Sequence, residues 1–223
     1  MKKLLFVLIT LSVTGILACK KNVVEPQVNN SSKYFAMELG SKYTYQMDSI
    51  TFSSLRPTPD TFKYQIQDVI TDQFIDNEGT TTFRIERYYK YDSASTWTFS
   101  RNYSQSATLI EAIRTDFDIP QIVMSMPVLQ DKLWDGNQYN TKDQADFFYE
   151  YVHKADSIGN KGYDSTCLVF QDESTNFIQS IFVKEKYAAN IGLVYREQEK
   201  INNLGTNDQL GFKFKLTLID FER

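Results

Sequence analysis

The chain has 223 residues and a formal net charge of −4, and it is 42% hydrophobic, 14% aromatic and 23% charged. That much apolar material builds a core and excludes a disordered chain, and the net negative charge argues against general nucleic-acid binding. With one histidine and two cysteines, His-based metal clusters, Ser-His-Asp or Cys-His constellations and a disulfide scaffold all lack their parts.

Met1-Lys2-Lys3 is a short basic start, and residues 4–18 (LLFVLITLSVTGILA) carry no charge. The apolar stretch is shorter than the about 20 residues that a spanning helix needs. A basic start, a short apolar centre and a small-residue exit form the layout of a secretory signal peptide; an uncleaved membrane anchor is the alternative. The exit, Ile16-Leu17-Ala18-Cys19, resembles the lipobox of bacterial lipoproteins. The resemblance implies cleavage after Ala18, a diacylglycerol on the Cys19 thiol and acylation of the new amine. Each buried methylene contributes about 0.8 kcal/mol, and two or more chains give stable anchoring. Loss of residues 1–18 also removes Lys2 and Lys3, which leaves a more acidic chain. Cys167 then has no partner in the chain. In the run Cys167-Leu168-Val169-Phe170 it reads as a small buried hydrophobe rather than a reactive thiol.

Residues 19–33 read as the lipidated cysteine and a flexible tether, since KKNVVEPQVNNSSK is polar and without apolar period. Fully extended, that tether reaches roughly 45–50 Å at 3.3–3.6 Å per residue. Residues 34–223 read as a single β-rich globular domain, with two small, closely packed domains as the alternative. Phe62, Tyr64 and Ile66 alternate with Lys63 and Gln65. Phe83, Ile85, Arg87, Tyr89 and Tyr91 alternate with Arg84, Glu86, Tyr88 and Lys90; Trp97 and Phe99, and then Phe212, Phe214, Leu216 and Leu218, continue the habit. Period-two alternation marks strands with one buried and one wet face. Turn chemistry falls between the runs, at Asp76-Asn77-Glu78-Gly79, at Gly159-Asn160-Lys161-Gly162, at Asn190-Ile191-Gly192 and between Asn202 and Asp208. Two segments carry helical spacing: 105–116, through Leu109, Ala112 and Ile113, and 143–155, where the strand reading is preferred. Gly40 and Gly136 each sit where a strand is entered. The fold class is mainly β, an antiparallel meander forming a curved sheet, half-barrel, barrel or sandwich with at most one or two short helices. A weak internal echo aligns Phe35-Ala36-Met37-x-x-Gly40-x-x-Tyr43 with Met126-Pro127-Val128-x-x-Asp131-x-x-Trp134, as a duplicated half-domain would.

Four stretches together carry a family resemblance: the segment Tyr34 to Tyr45 (YFAMELGSKYTY), Leu133-Trp134-Asp135-Gly136-Asn137, the segment Tyr187 to Glu197 (YAANIGLVYRE), and Leu216 to Phe221. The set resembles a family of lipoproteins of unknown function from Bacteroidota-type bacteria. This chain departs at Ala36, where the family has proline, and at Tyr43, where tryptophan is common. The resemblance brings no catalytic residues.

No cofactor and no metal site is expected. Asp116/Asp118, Asp143/Asp146, Glu185 and Glu197/Glu199 could supply a carboxylate pair, but such spacings read as solvated surface charge. The lone His153 reads as a strand surface residue. Ser49, Ser93, Ser157 and Ser165 each follow an aspartate and precede Ile, Ala, Ile and Thr, which resembles the O-glycosylation sequon of exported proteins in these bacteria; turn chemistry is the plain alternative. The functional expectation is a non-catalytic, membrane-anchored envelope lipoprotein that serves as an interaction or assembly module. It is held to the membrane through its lipid and works on an envelope protein partner. A periplasmic carrier of an apolar ligand in a β cavity is the alternative, and a carboxylate-based hydrolase of envelope glycans is a third reading. Lys20 stands where some bacteria place an inner-membrane-retaining aspartate, and no acidic run follows Cys19. The expected place is therefore the outer membrane, facing the periplasm.

Overall fold

The structure is a computed structural model, and residues 31–56, 58–203 and 209–223 are described. The expected signal segment, Cys19 and the expected tether up to residue 30 lie outside the described residues, as do residues 204–208 of the turn expected between Asn202 and Asp208. A 3-10 helix, Ser31–Phe35, is followed by twelve strands. These are β1 (Lys42–Phe52), β2 (Asp60–Ile75), β3 (Thr81–Lys90), β4 (Thr98–Ala107), β5 (Glu111–Asp116), β6 (Ile119–Ser125), β7 (Leu133–Asp135), β8 (Asp146–Ile158), β9 (Lys161–Thr175), β10 (Gln179–Ala188), β11 (Gly192–Asn203) and β12 (Gln209–Glu222).

All twelve join one antiparallel sheet in the order β6-β5-β4-β3-β2-β1-β12-β11-β10-β9-β8-β7. The sheet curls into a nearly closed barrel whose two end strands meet at a seam. Across it, the Ile122 N–H donates to the Gly136 carbonyl at 2.9 Å. The Trp134 indole donates to the Ile122 carbonyl at 2.9 Å, and the Tyr149 hydroxyl both accepts from the Ser125 N–H and donates to its carbonyl. Side chains thus satisfy edge groups that a short β7 leaves without ladder partners, which removes an open edge. Inward positions hold Tyr43, Tyr45, Met47, Ile66, Ile70, Ile85, Leu216 and Leu218. Outward positions carry ion pairs such as Lys42–Glu222 and Lys63–Asp48.

The strand alternation read from the sequence is what the barrel uses. The helical spacing at 105–116 is not: Leu109 is fully exposed at the tip of a hairpin between β4 and β5. There the Thr108 N–H donates to the Glu111 carbonyl, and the Thr108 hydroxyl accepts from the Ile110 and Glu111 N–H groups. A capped turn satisfies the same residues locally, and the apolar Ala112 then falls on the inward face. The segment 143–155 is mostly strand β8. Gly136 also differs from expectation, because it leaves β7 rather than entering a strand. A Cβ there would lie 2.8–2.9 Å from the Phe147 ring, so close approach, not turn geometry, demands glycine.

The internal echo has a structural counterpart. Before β1, Gly40 donates to the Ile70 carbonyl (2.9 Å), Ile70 donates to Ser41 (3.0 Å) and Ser41 donates to Glu38 (3.1 Å). Before β7, Asp131 donates to Tyr149 (2.9 Å), Tyr149 to Lys132 (3.3 Å) and Lys132 to Leu129 (3.2 Å). Glu38, Gly40 and Ser41 correspond to Leu129, Asp131 and Lys132 at a constant offset, and Gly40 and Asp131 both have positive φ, 90° and 61°. The chain is two six-stranded meanders, β1–β6 and β7–β12, placed in the same sense around one barrel.

Candidate functional site in the barrel lumen

The barrel encloses a cavity of about 340 Å³, at the lower end of the roughly 300–1,000 Å³ usual for small-molecule sites. It runs from Phe35, the last residue of the 3-10 helix, and Met37 to Ser49, Tyr64 and Gln198 farther along the strands. Its wall is apolar where Met47, Ile66, Ile85, Leu193 and Leu216 face in, and charged along a band formed by β2, β3, β4, β5 and β11 and backed by Glu185 on β10.

Three carboxylates in this band each take a bidentate arginine. Asp68 accepts from Arg87 at 2.6 and 2.7 Å and from the Tyr103 hydroxyl at 3.0 Å. Asp116 accepts from Arg101 at 2.9 Å through both oxygens. Glu185 accepts from Arg114 at 2.8 and 2.9 Å and from the Tyr187 hydroxyl. Arg114 also donates to the Tyr187 hydroxyl at 2.9 Å. Bidentate, charge-assisted bonds are what make such groups tolerable in a low-dielectric interior. Burial alone would push the Glu185 carboxyl up, but Arg114 and then Arg196 prevail and hold it down to about 2. The same contest raises Arg87, where burial is outweighed by the adjacent Asp68.

Arg196 is the fourth arginine of the band, and it has no carboxylate of its own. Its Nε lies 3.4 Å from the Glu185 oxygen already bonded to Arg114, is buried, and makes no hydrogen bond. One Nη donates to the Gln198 side chain at 3.2 Å, and the guanidinium lies 5.8 Å from the Phe214 ring centroid. Burial lowers its pKa first, and the like charges of Arg114 and Arg87 add to that against the pull of Glu185. A quarter of the Arg196 side chain is open to the lumen.

A second cluster pins the 3-10 helix to the barrel. The Tyr34 hydroxyl lies 2.7 Å from His153 Nδ1 and 2.7 Å from Ser165 Oγ, and the Tyr34 and His153 rings stack at 5.6 Å. His153 is exposed on β8, as read from the sequence, but its backbone turns to φ 54° and its ring serves as the anchor for Tyr34. The Asn190 N–H holds the Lys33 carbonyl at 2.7 Å on the same side.

The other residues singled out in the sequence are scattered. Glu185 is not a solvated surface charge, since 7% of its side chain is exposed, and Asp116 is likewise drawn into the lumen band. Asp118 forms the two-residue β5–β6 turn with Phe117, both at positive φ. The Asp135 carboxylate accepts from the Asn137 and Ala145 N–H groups and shapes the loop after β7. Asp146 accepts from Gln144, and Glu197 accepts from the Tyr195 hydroxyl with Lys215 at 3.6 Å. Ser49 lines the lumen, Ser165 is bonded to Tyr34, and Ser93 and Ser157 are exposed. Cys167 is a buried free thiol, and burial pushes its pKa up. Among the described residues no group of three His, Cys, Asp or Glu side chains could hold a metal ion. The arginine band was missed in the sequence except for one signal: Arg87 shares the inward parity of Phe83, Ile85 and Tyr89.

No protein-family model matches the chain, and no curated protein matches it. Two solved structures resemble it. One, described as an exported protein with a YmcC-like fold from Bacteroides fragilis NCTC 9343, has 10% identity over 84% of this chain and 98% of that one, with a TM-score of 0.49. The other, described as a lipoprotein from Parabacteroides distasonis ATCC 8503, has 10% identity over 85% of this chain and 98% of that one, with a TM-score of 0.46.

Proposed function

We propose that this chain is a non-catalytic lipoprotein of the bacterial cell envelope whose barrel lumen carries a small molecule. The anchoring part of the reading rests on the signal segment and on Cys19 in its lipobox. Lys20 and the lack of an acidic run after Cys19 support the reading of outer-membrane residence with a periplasm-facing domain. The observation that carries the ligand reading is the lumen, a cavity of about 340 Å³ inside a nearly closed barrel. Its mixed wall refines the carrier idea from an apolar ligand to one with a polar end.

A neutral fluorescent probe, 1-N-phenylnaphthylamine, tests it on the full chain as its host processes it, held in nanodiscs of neutral lipid. The expected result is saturable brightening at one probe per chain over empty nanodiscs, abolished by Ser49→Trp, which fills the lumen. Probe signal equal to that of empty nanodiscs overturns the carrier reading. The assembly-module reading has one observation in its favour: Leu109 and Phe177 stand at hairpin tips with 96% and 100% of their surface exposed. Its test is crosslinking in intact envelopes, where loss of a reproducible adduct in Leu109→Lys or Phe177→Lys supports it and the absence of any adduct counts against it.

A further inference from the structure

We infer that the lumen selects a monoanionic amphiphile, in the simplest case a carboxylate, with its head on Arg196 and its apolar body against Met47, Ile66 and Leu216. The inference rests on the reading of the lumen as a ligand site and adds the charge class of the ligand.

Charge balance carries the argument. Among the described residues the band holds four arginines, at 87, 101, 114 and 196, against three carboxylates, Asp68, Asp116 and Glu185. Each carboxylate is fully engaged by one bidentate partner. Glu185 is shared only in the weak sense that one of its oxygens lies 3.4 Å from Arg196 Nε, outside hydrogen-bond geometry. The protein's own carboxylates therefore leave one guanidinium in excess. A buried donor on a charged group, left without a partner, is costly, and native proteins keep such groups where function uses them.

A neutral ligand could take up a free donor but would leave the surplus charge beside Arg114. An oxyanion answers both deficits, because a guanidinium presents a planar fork that fits a carboxylate or phosphate. The size of the surplus points to a single negative charge. A phosphate monoester carries about −1.5 to −2 and would overshoot. Arg196 is also held in place without use of its remaining donors, by the Phe214 ring and by one bond to Gln198. Aliphatic side chains beside that head-group position can accept a short hydrocarbon body, and the cavity volume limits its length.

Isothermal titration of the full, host-processed chain in neutral nanodiscs tests this with three probes that share one tail: octanoate, octyl phosphate and octan-1-ol, each corrected for empty nanodiscs. Octanoate is expected to bind at least tenfold more tightly than octan-1-ol, and octyl phosphate no more tightly than octanoate. Arg196→Gln is expected to erase the preference for octanoate, so that octanoate binds no more tightly than octan-1-ol, and an unchanged urea midpoint reports that the barrel is intact. Arg196→Lys, which keeps the charge, is expected to retain part of the preference. Equal binding of octanoate and octan-1-ol overturns the anion inference and leaves the carrier reading standing. Octyl phosphate binding more than tenfold tighter than octanoate overturns the monoanion assignment. A preference that survives Arg196→Gln overturns the role of Arg196. Failure of all three probes overturns the carrier reading itself, and the anion inference falls with it.

Discussion

Arg114 on β5 reaches across the lumen to Glu185 on β10 and closes a bidentate pair at 2.8 and 2.9 Å, although 71 residues separate the two in sequence. The two strands lie toward opposite ends of the sheet order, so the pair ties walls that no backbone ladder joins. Removing one partner of a buried pair leaves the other charged and unpaired, at a cost of about 3–5 kcal/mol. Arg114→Met and Glu185→Gln are each expected to destabilise by that amount in urea unfolding. The double variant is expected to cost less than the two single changes together, and strict additivity would show that the pair does not couple the walls.

Acid should weaken the barrel through the same carboxylate. The folded Glu185 is held at about 2, below its ordinary 4.5, because Arg114 and Arg196 outweigh the effect of burial. A depressed pKa contributes stability that is fully present above about pH 4.5 and is lost as pH falls toward 2, in total on the order of 3 kcal/mol at 1.36 kcal/mol per unit. The wild-type urea midpoint is expected to fall more between pH 6 and pH 3 than that of Glu185→Gln. Equal losses in the two proteins would contradict this assignment.

Gly136 and Gly40 separate two reasons for needing glycine. A Cβ at Gly136 meets the buried Phe147 ring at 2.8–2.9 Å, so Gly136→Ala is expected to cost about 1–3 kcal/mol through overpacking. Gly40 has φ +90° and open space around it, so Gly40→Ala is expected to cost only backbone strain, about 1–2 kcal/mol. Phe147→Leu should relieve the first and leave the second unchanged, which thermal unfolding of the two double variants reads directly.

Much of this architecture is legible in the residues. Alternation in Phe83 to Tyr91 and Phe212 to Leu218 is enough for strands, because a period of two admits one buried and one wet face. The duplication shows faintly in Gly40 and Asp131, two residue types that tolerate positive φ, ahead of Tyr43 and Trp134. The helical spacing at Leu109, Ala112 and Ile113 misleads because a hairpin tip interrupts the alternation, and periodicity cannot see the Thr108 cap. The arginine band is the least legible part. Arg114, Glu185 and Arg196 are ordinary strand residues one by one, and only barrel closure brings them together; Arg87, on the same side as Ile85 and Tyr89, is the trace that a parity reading can follow.

Cys167 should be inert while the protein is folded, since burial raises its pKa and leaves the thiol inaccessible. No reaction with an aromatic disulfide reagent is expected at pH 8, and one thiol per chain is expected after unfolding. Two thiols would show that Cys19 carries no lipid.

Glycosylation, if the host applies it, should follow exposure. Ser93 and Ser157 are open to solvent, Ser49 faces the lumen, and Ser165 is bonded to Tyr34. Peptide mass mapping of the native protein is expected to find modified peptides containing Ser93 or Ser157. Modification at Ser49 or Ser165 would contradict the described fold around them.

The most direct test of the lumen as a carrier site is native mass spectrometry of the protein purified from its own envelope. A reproducible added mass that disappears on denaturation, and that Ser49→Trp does not retain, is the predicted result. A homogeneous mass equal to the bare lipoprotein, in wild type and variant alike, would contradict it.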